Sequence, residues 1–301
     1  MASSNATAAV TLGDVVLGRT RLGRRARSQL IRKAVAYVLT TALAAAFATP
    51  FLWMVSSSLK APEELSKLPP TWIPNPIVWS NYPEALKAAP FGQYFLNTLT
   101  ITFAAMLGQL VSCSLVAYGF ARLRFKGSSL WFVVLLSTMM LPSQVTLIPQ
   151  YILFRELGWL NTFAPLIVPA YFGSAFYVFL LRQFFLTIPK ELDEAAIVDG
   201  AGRFGIYWRI ILPLSRPILT TIVAFSFIAH WNDFFGPLIY LTTPSKMTLA
   251  VGLLNFKNDA VTFFHLLMAA SVIVLLPVIV VFFFAQRYFV ASITMTGMKE
   301  G

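Results

Sequence analysis

Charge is scarce in this sequence. Only 12% of its 301 residues are Asp, Glu, Lys or Arg, about half of what a water-soluble domain carries, so a soluble globular fold is excluded. There is one cysteine, Cys113. A disulfide within the chain and a cysteine-based metal site are therefore ruled out, and Cys113 reads as a small buried hydrophobe. The two histidines, His230 and His265, bring no companion set of ligands, so no metal site is expected. No internal repeat and no second, soluble domain is visible. The segment Gly-x-x-x-x-Gly-Lys-[Ser/Thr] is missing, and with it the phosphate cradle that would hold ATP.

What fills the chain instead is apolar. Hydrophobic residues make up 57% and the mean hydropathy is +0.72. Charge is absent from 34–59, 88–121, 127–154, 157–181 and 260–286, and 217–245 is interrupted only by Asp233. A spanning helix needs about 20 apolar residues, and each stretch is long enough. The pattern predicts an all-α membrane protein of six transmembrane helices, near 34–57, 95–120, 129–148, 161–184, 217–241 and 262–286. A β-barrel would show short alternating segments instead.

The net charge of +11 invites a nucleic-acid reading, but its distribution argues against one. With the N-terminus in the cytoplasm, 17 of the 23 Lys and Arg residues fall on the inside and six on the outside. That is the asymmetry that orients a membrane protein, and no nucleic-acid partner is needed to explain it. Seven of the basic residues, from Arg19 to Lys33, precede the first span. Residues 1–33 are read as a basic cytoplasmic tail, either a disordered anchor or a surface helix on anionic lipid. Ala46-Phe47-Ala48 mimics a signal-cleavage site, but the apolar run continues past it through Val55, which marks an uncleaved anchor. Pro50 is expected to kink that span. The long external loop, 58–94, carries seven prolines, which exclude a regular long helix. Its Trp72, Trp79, Tyr82 and Tyr94 suit the membrane interface.

The inside loop 187–213 holds the densest information. Pro189 suits a first helical turn, and Glu191, Asp193 and Glu194 place negative charge at the positive end of the helix dipole. Leu192, Ala195, Ala196 and Asp199 share one face by three- and four-residue spacing. A short amphipathic helix over 189–199 is predicted, ended by Gly200 and Gly202. A second helical turn follows from Phe204 to Ile211, closed by Pro213. Small residues at the turn, with Phe204, Tyr207 and Trp208 beside them, would let a partner's surface approach closely.

The spacing Glu194-Ala195-Ala196, three residues, Gly200, nine residues, Ile210-x-Leu212-Pro213 resembles the signature loop of the membrane subunits of binding-protein-dependent ABC importers. Local matches extend the resemblance over nearly the whole chain and toward the smaller permease subunit of maltose-type carbohydrate importers. They are Ser57-Ser58-Leu59-Lys60, Leu141-Pro142-Ser143-Gln144-Val145, Trp231-Asn232-Asp233 and Gln286-Arg287-Tyr288-Phe289-Val290. The tail Thr296-Gly297-Met298-Lys299-Glu300-Gly301 is similar to the family's ending without matching it cleanly. The resemblance implies a type I ABC importer permease fold over 34–286 with a cytoplasmic tail over 287–301. It also implies a multi-pass protein of a bacterial inner or plasma membrane with both termini in the cytoplasm, and a subunit with no catalysis of its own. It implies four kinds of partner: a second, different permease subunit, an ATP-hydrolysing subunit dimer that binds the ATP and magnesium, an external solute-binding protein and membrane lipid. By the same resemblance Glu194, Ala195, Ala196, Asp199, Gly200, Ala201, Ile210, Leu212 and Pro213 couple the chain to that ATPase.

Asp233 is the only acidic residue inside a predicted span. An ionisable group at that depth costs several kcal/mol and is a functional candidate by default. With Trp231, Asn232 and, on the third span, Gln144, it offers the aromatic faces and amide or carboxylate groups that sugar hydroxyls need. Asp233 could instead cap a helix break ahead of Gly236-Pro237. The predicted spans hold no cation in their interiors, which favours a neutral sugar over a phosphorylated cargo. The alternatives are a permease for a polyol or sugar phosphate such as glycerol phosphate, and a proton-coupled secondary transporter using Asp233.

Overall fold

A computed structural model describes residues 12–257 and 263–297, with side chains over 29–142, 144–257 and 263–286. The described residues are helical and contain no β-strand. They divide into two units, residues 1–56 and 57–301.

The first unit is most of one helix, α1 (Leu12–Ser58), which passes through Pro50 without a break. It starts 22 residues before the predicted span, so no element ends at residue 33. Side chains of Arg19 to Arg27 lie outside the described residues.

The second unit begins with the proline-rich loop that the sequence places outside. Short helices α2 (Pro62–Leu65) and α3 (Asn81–Lys87) punctuate it. Its shape rests on buried polar groups. Lys60, 1% exposed, donates from Nζ to the carbonyl of Thr71. Glu64, 5% exposed, accepts from Thr71 Oγ1 at 2.9 Å and from the Asn75 N–H. Asn81 Nδ2 donates to the carbonyls of Ser58 and Lys60, both at 2.9 Å. Burial would raise the pKa of Glu64, but the bonds from Thr71 and Asn75 and the charges of Lys60 and Lys67 outweigh it and lower the value. Trp72 and Trp79 are exposed, as an interfacial role requires, whereas Tyr94 is a core residue.

Helix α4 (Phe91–Arg122) forms the centre. It contains no proline, and two of its hydroxyls bond back to carbonyls one turn earlier, Thr98 to Tyr94 and Thr100 to Leu96, both at 2.8 Å. Such back-bonding satisfies a polar side chain where water is excluded. Helices α5 (Ser128–Ser137) and α6 (Ser143–Glu156) follow. The expected third span is not one straight helix: Ser128–Met140 and Gln144–Glu156 meet at 100°. Pro142, which lacks an N–H and forces Leu141 into an extended conformation (ψ 117), accounts for the break.

The fourth span comprises α7 (Ala164–Ile167), a 3₁₀ segment Val168–Phe172, Gly173 at φ +86 and α8 (Ala175–Thr187). The loop 187–213, expected to be cytoplasmic, contains α9 (Glu191–Val198), α10 (Arg203–Ile206), a π-helical turn Tyr207–Ile211 and α11 (Leu212–Leu214). The helix widens just ahead of Pro213, which has no N–H to give to the carbonyl of Arg209. The chain then bends by 78° into α12 (Arg216–Trp231), followed by α13 (Phe235–Tyr240), α14 (Leu249–Gly252) and α15 (Phe264–Gly297). α12 and α13 cover the expected fifth span with an interruption at 232–234. By length and composition, four helices of the described chain can cross a membrane, or up to six if each bent pair is one span.

α4 packs against α8, α12 and the 3₁₀ segment. At Gly108 the approach is close: a Cβ there would lie 2.3 Å from the ring of Tyr171. Nearby, Cys113 Sγ accepts the N–H of Ser174 at 3.1 Å and is fully buried, in keeping with its sequence reading.

Candidate functional site: the cytoplasmic loop and the break in α12–α13

The loop's first helix is closed by a two-bond motif. Gly200, at φ +82, gives its N–H to Ile197 at 3.0 Å, and Ala201 gives its N–H to Ala196 at 2.8 Å. The left-handed conformation is the reason a glycine stands there. No atom lies within 4 Å of where a Cβ would be, so the turn itself is open.

Around that turn the loop divides into an inner and an outer side. Ala196, Ile206, Tyr207 and Ile211 are buried with α4, α8 and α12 residues in one hydrophobic cluster, and Ile210 and Leu212 pack against it. Outside, Glu194, Ala195, Asp199, Gly200 and Pro213 are exposed. So are Leu192 at 42%, Val198 at 87%, Phe204 at 69% and Trp208 at 62%, and the last two rings stack at 6.4 Å. The face expected from periodicity, Leu192-Ala195-Ala196-Asp199, is split: Ala196 turns inward with Asp193, and the other three turn outward. Tyr207 is corrected from an exposed anchor to a core residue, because its hydroxyl finds Ser114 at 2.7 Å in the buried cluster.

Ion pairing adds to the inner side. Arg122, at the end of α4, donates from Nη2 to the carbonyl of Ile188 at 2.7 Å and places Nε 3.5 Å from Asp193 Oδ2. Their side chains are 2% and 13% exposed. Sequence reasoning missed this pair, and it missed Ser114 and Tyr118 on the same stripe. The signal was present as polar residues four apart, 114, 118 and 122, in an otherwise apolar helix. Arg182, inside the fourth span at its cytoplasmic end, lies 4.2 Å over the Phe132 ring. It tightens the same region and narrows the statement that the spans lack cations.

The residues expected along a cargo pathway differ in exposure. Trp231 is corrected to a structural role. It is 1% exposed, stacks on Phe227 at 5.2 Å and donates from Nε1 to the Val274 carbonyl at 3.0 Å. A ring so engaged presents no face to a ligand. Asn232 is exposed and Asp233 half-buried, both in the break between α12 and α13. Asp233 Oδ1 accepts the Gly236 N–H at 3.1 Å, so it caps α13. Gln144 is exposed at the start of α6. α6 and α13 meet two turns further along, where Tyr151 and Phe154 contact Tyr240. No group of three His, Cys, Asp or Glu that could hold a metal occurs among the described residues.

A helical, membrane-embedded permease is the class that this fold defines. Residues 111–295 match the family of binding-protein-dependent transport system inner membrane components, and the chain belongs to that family: it is a membrane-spanning permease subunit of an ABC importer. It is similar to the melibiose/raffinose/stachyose import permease MelC of Bacillus subtilis, 34% identical over 92% of this chain and 99% of that one. The sn-glycerol-3-phosphate permease UgpE of Yersinia enterocolitica is 33% identical over 76% and 84%. The diacetylchitobiose uptake permease NgcG of Streptomyces coelicolor is 30% identical over 80% of each. Among solved structures, a chain of a bacterial ABC transporter that imports the acidic polysaccharide alginate superposes with a TM-score of 0.78 at 26% identity, covering 87% of this chain and 98% of that one. The fold is thus the type I importer permease fold.

Proposed function

We propose that this chain is one of two different permease halves of an importer for a small neutral saccharide. An external binding protein delivers the cargo, and ATP and its magnesium are held by a separate ATPase pair. The observation that carries the ATPase partnership is the outer side of the cytoplasmic loop. Leu192, Val198, Phe204 and Trp208 put apolar surface into water around a turn that has no Cβ, and exposed apolar surface of this kind marks a protein contact. Glu194, Ala195, Asp199, Gly200 and Ala201 belong to that contact. Ala196, Ile210 and Leu212 support it from within, and Pro213 sets the bend behind it. Both termini are assigned to the cytoplasm, in a bacterial inner membrane, from the charge asymmetry.

Cargo class rests on relatives whose names specify oligosaccharides. The glycerol-phosphate relative keeps a phosphorylated cargo as the second reading. Asn232, Asp233 and Gln144 are the polar residues offered to the pathway.

The test is gentle purification of the tagged chain from native membranes, with co-purifying proteins identified by mass spectrometry. A P-loop ATPase, a second permease and a binding protein are expected. That binding protein is then titrated with melibiose, raffinose, diacetylchitobiose and glycerol 3-phosphate. Binding only to glycerol 3-phosphate replaces the neutral-saccharide reading. A chain that comes out alone and takes up solute on a pH gradient overturns the ATPase partnership.

A further inference from the structure

One helix fastens three segments of the loop. Ser114, Tyr118 and Arg122 stand four residues apart on α4. Ser114 shares a hydrogen bond with Tyr207 Oη at 2.7 Å, which holds the π turn. Tyr118 donates to the Arg203 carbonyl at 2.9 Å, which holds the start of α10. Arg122 holds Ile188 and Asp193, the entry and the first turn of α9. Tyr207, Arg203 and Ile188 lie 93, 85 and 66 positions from their α4 partners in sequence, so the stripe gathers otherwise separate pieces.

The opposite end of α4 is fastened in the same manner. Asn97 Nδ2 donates to the carbonyls of Ser245 at 2.8 Å and Met247 at 2.9 Å. Thr98 Oγ1 accepts the Leu249 N–H at 2.9 Å and is buried. That end opens into a depression of about 490 Å³ lined by Gln93, Asn97, Thr162, Phe163, Ser245 and Lys246. Lys246 spans it, donating to the Asn161 carbonyl at 2.6 Å. From Asn97 to Arg122 the helix rises about 37 Å, the depth of a membrane.

The other two long helices at the loop cannot carry a displacement so far without loss. α8 enters the loop but is broken at Gly173, and α12 leaves the loop through a 78° bend and is interrupted after Trp231. α4 is uninterrupted over 32 residues. We propose that α4 is the strut that links the outer depression to the ATPase-facing loop. Thr98 and Asn97 are its outer fastening, and Ser114, Tyr118 and Arg122 its inner one. They are positioning residues: they touch neither ATP nor cargo. The inference rests on the importer reading, in which an external binding protein and an ATPase act on opposite faces of the chain.

The experiment uses the whole complex in lipid nanodiscs, with ATP hydrolysis measured with and without the binding protein. Tyr118→Phe and Ser114→Ala remove one hydroxyl each at the inner end, and Thr98→Val removes one at the outer end. Each variant is expected to reduce stimulation by the binding protein about fivefold, the scale of ordinary coupling between sites. Unstimulated hydrolysis and subunit stoichiometry should stay at the wild-type level, which mere loosening of the fold would not leave intact. Because the two ends act in series, Thr98→Val with Tyr118→Phe should be no worse than the more damaging single change. Wild-type stimulation in all variants, or effects of the two ends that multiply, overturns the strut. A wild-type complex that lacks an ATPase, or that the binding protein does not stimulate, overturns the importer reading itself.

Discussion

Ala201 gives its backbone N–H to the carbonyl of Ala196 across Gly200, so the two small residues of the loop and the glycine between them form one closed turn. Gly200 stands at φ +82 with empty space where a side chain would go. Gly200→Ala should therefore act through the backbone alone and destabilise the turn by about 1 kcal/mol. Gly200→Val should reduce co-purification of the ATPase further. Gly202, at φ −72, is the control: Gly202→Ala should leave ATPase recovery unchanged. Equal recovery with Gly200→Val and the wild type would contradict the assignment of this turn to the contact.

Neighbouring carboxylates on α9 should behave oppositely. Glu194 is exposed, so Glu194→Lys is expected to lower the melting temperature of the purified chain only slightly, through the reversed charge in the first turn, while lowering stimulated ATP hydrolysis. Asp193 faces buried Arg122. Asp193→Ala leaves that cation uncompensated and should destabilise the chain by about 3 kcal/mol, seen as a lower melting temperature. The reverse pattern would mean that the inner and outer sides of the helix are misassigned.

Asp233 can be separated into its two candidate roles. Asparagine also caps helices, whereas alanine does not, a difference of about 1 kcal/mol. Asp233→Asn should keep the melting temperature, and Asp233→Ala should lower it. If the charge also serves the cargo pathway, Asp233→Asn will alter uptake kinetics in the stable protein. Unchanged kinetics would leave the cap as its whole function.

The external loop should respond to acid. Glu64 has its pKa lowered in the folded chain, so its ionised form contributes stability above the unfolded value, about 4.3. That contribution is lost as pH falls through the folded value. Proteolysis of 62–79 by an acid-active protease should accelerate in that range, after correction for the protease's own pH profile. Glu64→Gln should be cleaved readily at every pH. A wild-type loop equally resistant throughout would show that the Thr71 and Asn75 bonds do not secure it.

Apolar run lengths made the helical, membrane-spanning class legible, because a bilayer sets one length scale for every helix that crosses it. The turn at Gly200 was legible because only glycine enters the left-handed region at no strain. Breaks were harder to place. The 100° bend at Pro142 is a matter of how the two half-helices pack, which one residue does not reveal, and at Asp233 the sequence offered a cap on a helix break and a pathway carboxylate without deciding between them. Trp231 was misplaced because an indole looks alike to a sugar and to a core. Its partner, the Val274 carbonyl, lies 43 residues away and leaves no trace in local spacing. Tyr207 failed for the same reason, since a ring on a polar loop reads as exposed until Ser114, 93 residues earlier, is brought to its hydroxyl.

The ring of Tyr171 seated in the notch of Gly108 restricts how two spans can move. With Cys113 hydrogen-bonded to Ser174 further along, α4 and the fourth span are keyed against sliding or turning past one another. Any conformational cycle that keeps the notch intact must therefore carry the two as one body, and the seam between them is a clamp that leaves relative motion to their other faces.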